Sequence, residues 1–512
     1  MGDGLSRRTV LRGVAASAVA GGIAAASPAS ATAAPRGGPT ASSGDWAAFD
    51  AAVGAAFDQL NNVGGAVAVV SADAVLHTKT FGVRSLRGRK PVTSDTHFLV
   101  ASTTKSMTAE LVATYVDQGV LSWDQRVVTA YPAFRAPTPS LTDSLRVRDL
   151  LGMATGIEAS PATDFHQGDP TAEQLLQNVV NLPVRHPPGT SFFYNNTVYA
   201  VGGYLPLLAT GVAPRDLTAA YANAMRDRLW RPSGMSGTVM TDDPRGVVDD
   251  FATGYGLDLR ARPVELPCGP VGSYAPVGGA LSTVTDMAAY VRLQLRHGRS
   301  VTGGHVVSEA NLAECWKLHI TQSTPGLPVT VQYALGWSVI DYPDGTRLVT
   351  HSGGIDGFSS YIAFLPQHDL GVVVLTNMNP TPTGLQWSGQ VLNLLVTGQL
   401  GLYLSAGLKP LEQGVAARTA LVDLGAQTRK VDAKSVEPFL GYYEAGWSLV
   451  LHGRDLSLCL GPRVFPLLLL TDGSYVATQG ILQGIHVTLA RESDGTPHLE
   501  IVGVETVRRT TG

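Results

Sequence analysis

Trp46, Phe49, Val53, Phe57 and Leu60 recur at steps of three and four, which predicts a helix over Asp45–Leu60. Gly64-Gly65 then opens an apolar run from Ala66 to Val70, and a second run spans Ala74 to Thr80. The pair predicts a β-hairpin in a buried sheet. After the short apolar stretch Phe98–Ala101, residues Met107, Leu111, Val112 and Tyr115 return to helical spacing, so a helix begins at Ser102. Gly119-Val120-Leu121-Ser122-Trp123-Asp124 is the turn that closes it. From Leu145 to about Gly237 the pattern is helical with loops. It predicts a short helix ending at Leu150-Leu151, a helix over Tyr199–Leu208 interrupted at Pro206, and a helix over Leu217–Leu229. Gly278-Gly279 and Ser282-Thr283 lead into a helix over Asp286–Leu295. Strand patterns return at Leu335–Tyr342, Arg347–His351, Ser359–Leu365 and Gly371–Leu375, followed by a helix over Leu385–Leu395. The early and late strands are expected to share one sheet with the helices inserted between them. The fold class is α/β (α+β): an antiparallel sheet flanked by helices, plus an all-helical region.

The character changes twice more. Residues 405–434 read as a charged, less periodic linker. Over 435–512 short alternating runs are punctuated by Gly453-Arg454-Asp455, Asp472-Gly473 and Asp494-Gly495, which predicts a small antiparallel β-barrel. At the other end, Arg7-Arg8 precedes an Ala/Gly/Val run from Val14 to Ala26 and small-residue cleavage sites at Ala29-Ser30-Ala31 and Ala31-Thr32-Ala33. Residues 1–34 read as a twin-arginine (Tat) export signal, and 35–44 as a disordered leader. The run is too short and too Ala/Gly-rich for a permanent membrane span. The expected destination is secreted or cell-wall-associated.

Composition narrows the function. Hydrophobic residues make up 44% of the 512 and charged residues 15%, so the chain is globular and too long for one ordinary core. A formal charge of −4 without a basic stripe gives nucleic acid no footing. Cys268, Cys315 and Cys459 lack metal-ligand spacing, form at most one bridge, and read as small buried residues. The twelve histidines show no His-x-x-x-His spacing with a partnering Glu. No cofactor or metal is indicated.

Three elements carry chemistry. Ser102 and Lys105, three apart at a helix start, lie on one face; a desolvated lysine can take a serine proton, and helix-start N–H groups point where an oxyanion forms. Alone the pair is a weak signal, because Ser also serves as an N-cap. Tyr194, after the Pro187-Pro188-Gly189 loop, can shuttle a proton, and Asn196 can hold both a lysine and a substrate carbonyl. His351-Ser352-Gly353-Gly354 is expected at a strand end, where small residues let a substrate backbone lie alongside. Gly354 N–H is a candidate second oxyanion donor, and His351 a proton donor or source of positive charge.

In this order the three elements resemble the serine β-lactamase-like family, which holds penicillin-binding proteins, class C β-lactamases, D-alanyl-D-alanine carboxypeptidases, D-aminopeptidases and related esterases. Gly119–Asp124, Leu150–Ile157, Pro188-Gly189-Thr190, Gly278-Gly279 and Leu375-Thr376-Asn377 resemble its spacer motifs, so the likeness spans about residues 45–400, within a catalytic domain of 45–404. The resemblance implies Ser102 as the acylated nucleophile, Lys105 as base or relay, Tyr194 as proton shuttle and Asn196 as positioning group. Whether lysine or tyrosine is the general base stays open. His351 stands where many β-lactamases carry lysine, which is closer to D-peptidases, and Met153 stands where histidine is common. The C-terminal β unit resembles a lipocalin-like domain. The resemblance thus implies an exported serine hydrolase of D-residue-containing peptides, of D-alanyl-D-alanine carboxypeptidase or D-aminopeptidase type. The same scaffold also serves a β-lactamase, an esterase, or a transacylase or peptide cyclase. A reading without turnover is a penicillin sensor or ligand-binding protein. The expected partner is a small peptide, ester or β-lactam substrate.

Overall fold

Strand β1 (Gly64–Val70) is buried along its whole length, and its side chains alternate between two cores. Ala66, Ala68 and Val70 join a large cluster on one face; Val67 and Val69 join a smaller one on the other. A strand apolar on both faces needs a cover on both sides of its sheet. The computed structural model that reveals this describes residues 43–159, 170–258, 260–322, 330–342, 345–378 and, with interruptions of one to three residues, 415–510. The expected signal segment, nearly all of the expected leader, the Leu385–Leu395 helix and half of the 405–434 linker lie outside the described residues.

The smaller face is covered by helix α1 (Ser43–Gln59), which buries Phe49, Val53 and Phe57. Each such side chain contributes about 1.5–3 kcal/mol. The larger face carries α2 (Thr104–Asp117), α3 (Asn196–Ala209) and α4 (Val284–Leu295). The remaining strands are β2 (Val75–Gly82), β3 (Ile320–Gln322), β4 (Val331–Tyr333), β5 (Ser338–Asp341), β6 (Arg347–Ile355), β7 (Phe358–Leu365) and β8 (Leu370–Thr376). Their order in the sheet is β2-β1-β8-β7-β6-β5-β4-β3, antiparallel throughout. Early and late strands therefore do share one sheet, with the helices between them in sequence.

Several expectations are corrected. The strand expected over Leu335–Tyr342 is shorter, β5 over Ser338–Asp341: Gly336 takes a left-handed φ of 75° and Ala334 N–H bonds Trp337 O at 2.7 Å, a turn that joins β5 to β4, which was not expected. Pro206 does not interrupt α3: it lies near the helix end, where the missing N–H breaks one late bond. The Leu217–Leu229 helix is α-helical to Ala224 and continues as a wider π-helical turn over Met225–Trp230. His351 to Gly354 lie inside β6, not at a strand end. The three cysteines are unbonded, and Cys268 is exposed where a buried residue was expected; only Cys315 is fully buried.

The C-terminal strands are β9 (Thr428–Arg429), β10 (Gly441–Tyr442), β11 (Trp447–His452), β12 (Asp455–Leu460), β13 (Arg463–Leu470), β14 (Tyr475–Ala477), β15 (His486–Arg491), β16 (Pro497–Ile501) and β17 (Glu505–Arg508). They pair in chain order from β10 to β17, with β9 added on β13. The sheet curls until its ends meet: Tyr443 bridges Arg509, and Thr510 N–H bonds Tyr442 O at 3.0 Å. Trp447, Leu458, Val487 and Leu499 fill the inside with side chains. No described helix is long and apolar enough to cross a membrane.

Glu110 on α2 is fully buried in the larger core, where Tyr290 OH donates to its Oε1 at 2.9 Å. Burial pushes its carboxyl from the ordinary 4.5 up to about 8, so the folded protein holds it protonated at neutral pH. The folded pKa lies above the unfolded one. The contribution of Glu110 to stability is therefore fully present below about 4.5 and declines as pH rises toward about 8. Glu110→Gln is expected to flatten that decline, and its melting temperature should gain on wild type as pH increases through this window. Parallel thermal melts across the window check it; a difference independent of pH would contradict it.

Candidate active site

The chain enters the site through a strained turn. Ala101 has φ of 48°, a left-handed conformation uncommon for alanine, and leads a 3-10 turn over Ala101–Thr103. Such strain persists only where surroundings over-determine it. Here Val100 N–H bonds Ala280 O at 2.9 Å, and Val100 O accepts Ser360 Oγ at 2.6 Å. Thr103 Oγ1 lies 2.6 Å from the same Ser360 Oγ. The turn leaves Ser102 half-buried, reachable from outside, and hands the chain to α2.

Lys105, one turn on, is fully buried. Its Nζ donates to Ser102 Oγ at 2.9 Å and to Val277 O at 3.0 Å. The Tyr194 ring centroid lies 4.8 Å from Nζ and that of Tyr199 5.9 Å. Two aromatic faces thus line the ammonium. Tyr199 OH also donates to Lys105 O at 2.6 Å, tying α3 to the start of α2.

Tyr194 is carried by a loop held through backbone bonds. Gly189 N–H bonds Ala154 O at 2.7 Å, and Phe193 N–H bonds Met153 O at 3.1 Å. Met153, in the place where the family commonly has histidine, is buried and anchors this loop through its main chain. Asn195 caps α3, its Oδ1 accepting Val198 N–H at 3.0 Å, and Asn196 is the first helical residue, also buried.

β6 supplies the opposite wall. On one side Ser352, Gly353 and Gly354 pair with Tyr361, Ser360 and Ser359 of β7. On the other side β5 pairs only as far as Thr350, and no described strand covers the edge from His351 onward. Gly353 is pressed onto the serine turn: a Cβ there would strike Val100 O and come within 3.0 Å of Ser102 N. Only glycine permits this approach. Gly354 beside it is exposed.

His351 is buried, with both ring nitrogens engaged. Nδ1 lies 2.7 Å from Ser352 O, so it carries the hydrogen, and Tyr333 OH donates to Nε2 at 3.2 Å. Burial first, then the Lys105 charge, pull its pKa down to about 3. Of the two roles offered for His351, a proton donor or a source of positive charge, the second is disfavoured, because the imidazole is neutral near neutral pH.

The structure thus brings Ser102, Lys105, Tyr194, His351 and Gly353 together, with Ser352 and Gly354 beside them on β6 and Asn196 opening α3. Four supports went unnoticed in the sequence: Tyr333, Tyr199, Val277 and Ser360. Tyr333 sits on a strand whose signal is three residues long. Val277 contributes only a carbonyl, which no sequence pattern marks. Among the described residues, no group of three or more His, Cys, Asp or Glu side chains is placed to hold a metal ion.

An antiparallel sheet flanked by helices, with a serine and a lysine one turn apart at a helix start, defines the β-lactamase/transpeptidase class of fold. The chain belongs to the beta-lactamase family of serine hydrolases, whose family profile matches residues 49–393. It is 29% identical over 326 residues to an unguisins hydrolase of Aspergillus campestris, covering 59% of this chain and 56% of that one. A second unguisins hydrolase, from Aspergillus violaceofuscus, is 29% identical over 346 residues, 62% of this chain and 58% of its own length. The chain therefore spans little more than half the length of these two relatives. Penicillin-binding protein 4 of Amycolatopsis lactamdurans is 28% identical over 331 residues, covering 63% of this chain and 83% of that protein. Among solved structures, the octameric penicillin-binding protein homologue from Pyrococcus abyssi superposes with a TM-score of 0.59 at 20% identity. That match covers 90% of this chain and 100% of that one, and shows the shared fold.

Proposed function

We propose that the chain is an exported serine hydrolase acting through an acyl-enzyme on D-residue-containing peptides. The observation that carries this is the 2.9 Å contact between a fully buried Lys105 Nζ and the accessible Ser102 Oγ. Ser102 Oγ attacks the substrate carbonyl carbon, and its proton passes to the Lys105–Tyr194 pair, which at that moment holds one proton fewer than ammonium plus phenol, so that either Nζ or the Tyr194 oxygen is free to accept it. That pair returns a proton to the leaving amine as the C–N bond breaks. Water then adds to the Ser102 ester, the serine recovers its hydrogen, and the carboxylic acid departs. The N–H groups of Ser102 and Gly354 are assigned to the oxyanion; one such donor is worth on the order of 10²–10³ in rate. Asn196 is assigned to the lysine and the substrate carbonyl, and the uncovered edge of β6 to the peptide backbone.

Within the D-peptide class, His351 favours the aminopeptidase side over the carboxypeptidase side. A neutral imidazole with both nitrogens engaged gives β6 no fixed cation for a substrate's terminal carboxylate. The unguisins hydrolases and penicillin-binding protein 4 support hydrolytic use of this scaffold, and Arg7-Arg8 with the following apolar run supports export.

Steady-state kinetics with D-alanine p-nitroanilide, its L-isomer and D-alanyl-D-alanine test this. The D-anilide is expected to exceed D-alanyl-D-alanine in kcat/KM by at least about tenfold, a difference of about 1.4 kcal/mol in transition-state binding. It is also expected to exceed the L-anilide. Preference for the L-isomer would overturn the D-residue class. Faster release of D-alanine from the dipeptide would restore the carboxypeptidase reading, and turnover of a β-lactam faster than either would make the chain a β-lactamase.

A further inference from the structure

The turn between β6 and β7 is gripped by a residue of the barrel. Asp356 stands in that turn, 5% exposed. Its Oδ2 accepts Gly269 N–H at 2.9 Å and lies 3.8 Å from Nη2 of Arg463. Arg463 opens β13, and its side chain is itself mostly buried. The guanidinium rests against Gly269, where a Cβ would come within 2.5 Å of Nη2. Gly357, next in the turn, has φ of 89°, and its carbonyl accepts Tyr255 N–H at 3.2 Å. A second barrel contact lands beside the first: the Gln483 side-chain amide donates to Leu257 O, on the same short hairpin as Tyr255. Burial raises the Asp356 carboxyl above its ordinary range, and the Arg463 charge opposes that rise.

We infer that Arg463 is a positioning residue for the hydrolytic site: by pairing with Asp356 it fixes the turn from which Ser352, Gly353 and Gly354 are held against Ser102. From His351 to Ile355, β6 is paired on the β7 side, and the described residues offer no strand on the other. The anchored turn is then what resists displacement along the open side. A carboxylate this buried, left without its counter-ion, must take up a proton or move toward water. Movement would carry Gly354 away from the oxyanion position, and about 1 Å of misplacement can cost on the order of 10²-fold in rate. This rests on the acyl-enzyme reading of Ser102.

The test uses the full chain with Arg463→Met, Arg463→Lys, Asp356→Asn and the Arg463→Met/Asp356→Asn pair. The readouts are kcat and KM on p-nitrophenyl acetate and amide hydrogen exchange in peptides spanning 347–365. Arg463→Met is expected to lower kcat by about 10- to 100-fold with little change in KM, and to speed exchange in the turn. Arg463→Lys should recover most of the rate. Asp356→Asn keeps an acceptor for Gly269 N–H but no charge, so adding Arg463→Met to it should cost little more. Unchanged exchange and kcat in Arg463→Met would overturn the inference, as would an equal loss in the Asp356→Asn background. If wild-type turnover proves independent of Ser102, the acyl-enzyme reading fails by itself, while the exchange comparison still decides whether Arg463 holds the turn.

Discussion

Replacing Ser102 by alanine is expected to lower kcat/KM by on the order of 10⁴-fold or more on every ester and amide the protein hydrolyses. Only the nucleophile is lost. Ser102 is half-buried in a turn fixed by Val100, Thr103 and Ser360, none of which uses the serine hydroxyl. Lys105 keeps its bond to Val277 O. The variant should therefore fold, and its melting temperature should stay close to wild type while turnover disappears. Steady-state rates and a thermal melt on the same preparation separate the two quantities. Retention of activity within about tenfold would remove Ser102 from the chemistry.

Lys105→Met is expected to lower kcat by on the order of 10²–10⁴-fold, the range lost with a general acid–base group. Methionine matches the lysine stem in length and flexibility, so packing against Tyr194 and Tyr199 is largely kept. What goes is the nitrogen at 2.9 Å from Ser102 Oγ. A buried charge carries a desolvation penalty, so its removal should leave the melting temperature equal or higher. A catalytic lysine thus shows a rate that falls with stability held or raised; a structural lysine shows the reverse. Measuring kcat beside the melting temperature distinguishes them, and a stable variant with wild-type kcat would contradict the assignment.

The local half of the structure was legible in the sequence because it is written in short-range patterns. Val67 and Val69 against Ala66 and Ala68 announced a strand buried on both faces, and Met107, Leu111 and Tyr115 announced the helix that begins beside Ser102. Serine and lysine three apart at the start of that helix lay within reach of one another, and the 3-10 turn before α2 completes the contact. Tertiary partners decided the rest. His351 was readable as a histidine beside glycines, but its neutrality comes from burial and from Lys105, which lies far away along the chain. Tyr333 itself was hidden because its strand, Val331–Tyr333, is only three residues long and lies outside the pattern read over Leu335–Tyr342. No sequence pattern marks Arg463 or Asp356, and only the fold brings them into one buried pair.

The most direct test of an acyl-enzyme on Ser102 is an acid-quenched intact-mass time course with p-nitrophenyl acetate, wild type beside Ser102→Ala. One acetyl group is expected to appear on wild type, to map to the peptide containing Ser102, and to be absent from the variant. An adduct on any other residue, or the same adduct on Ser102→Ala, would contradict the assignment of Ser102 as the nucleophile.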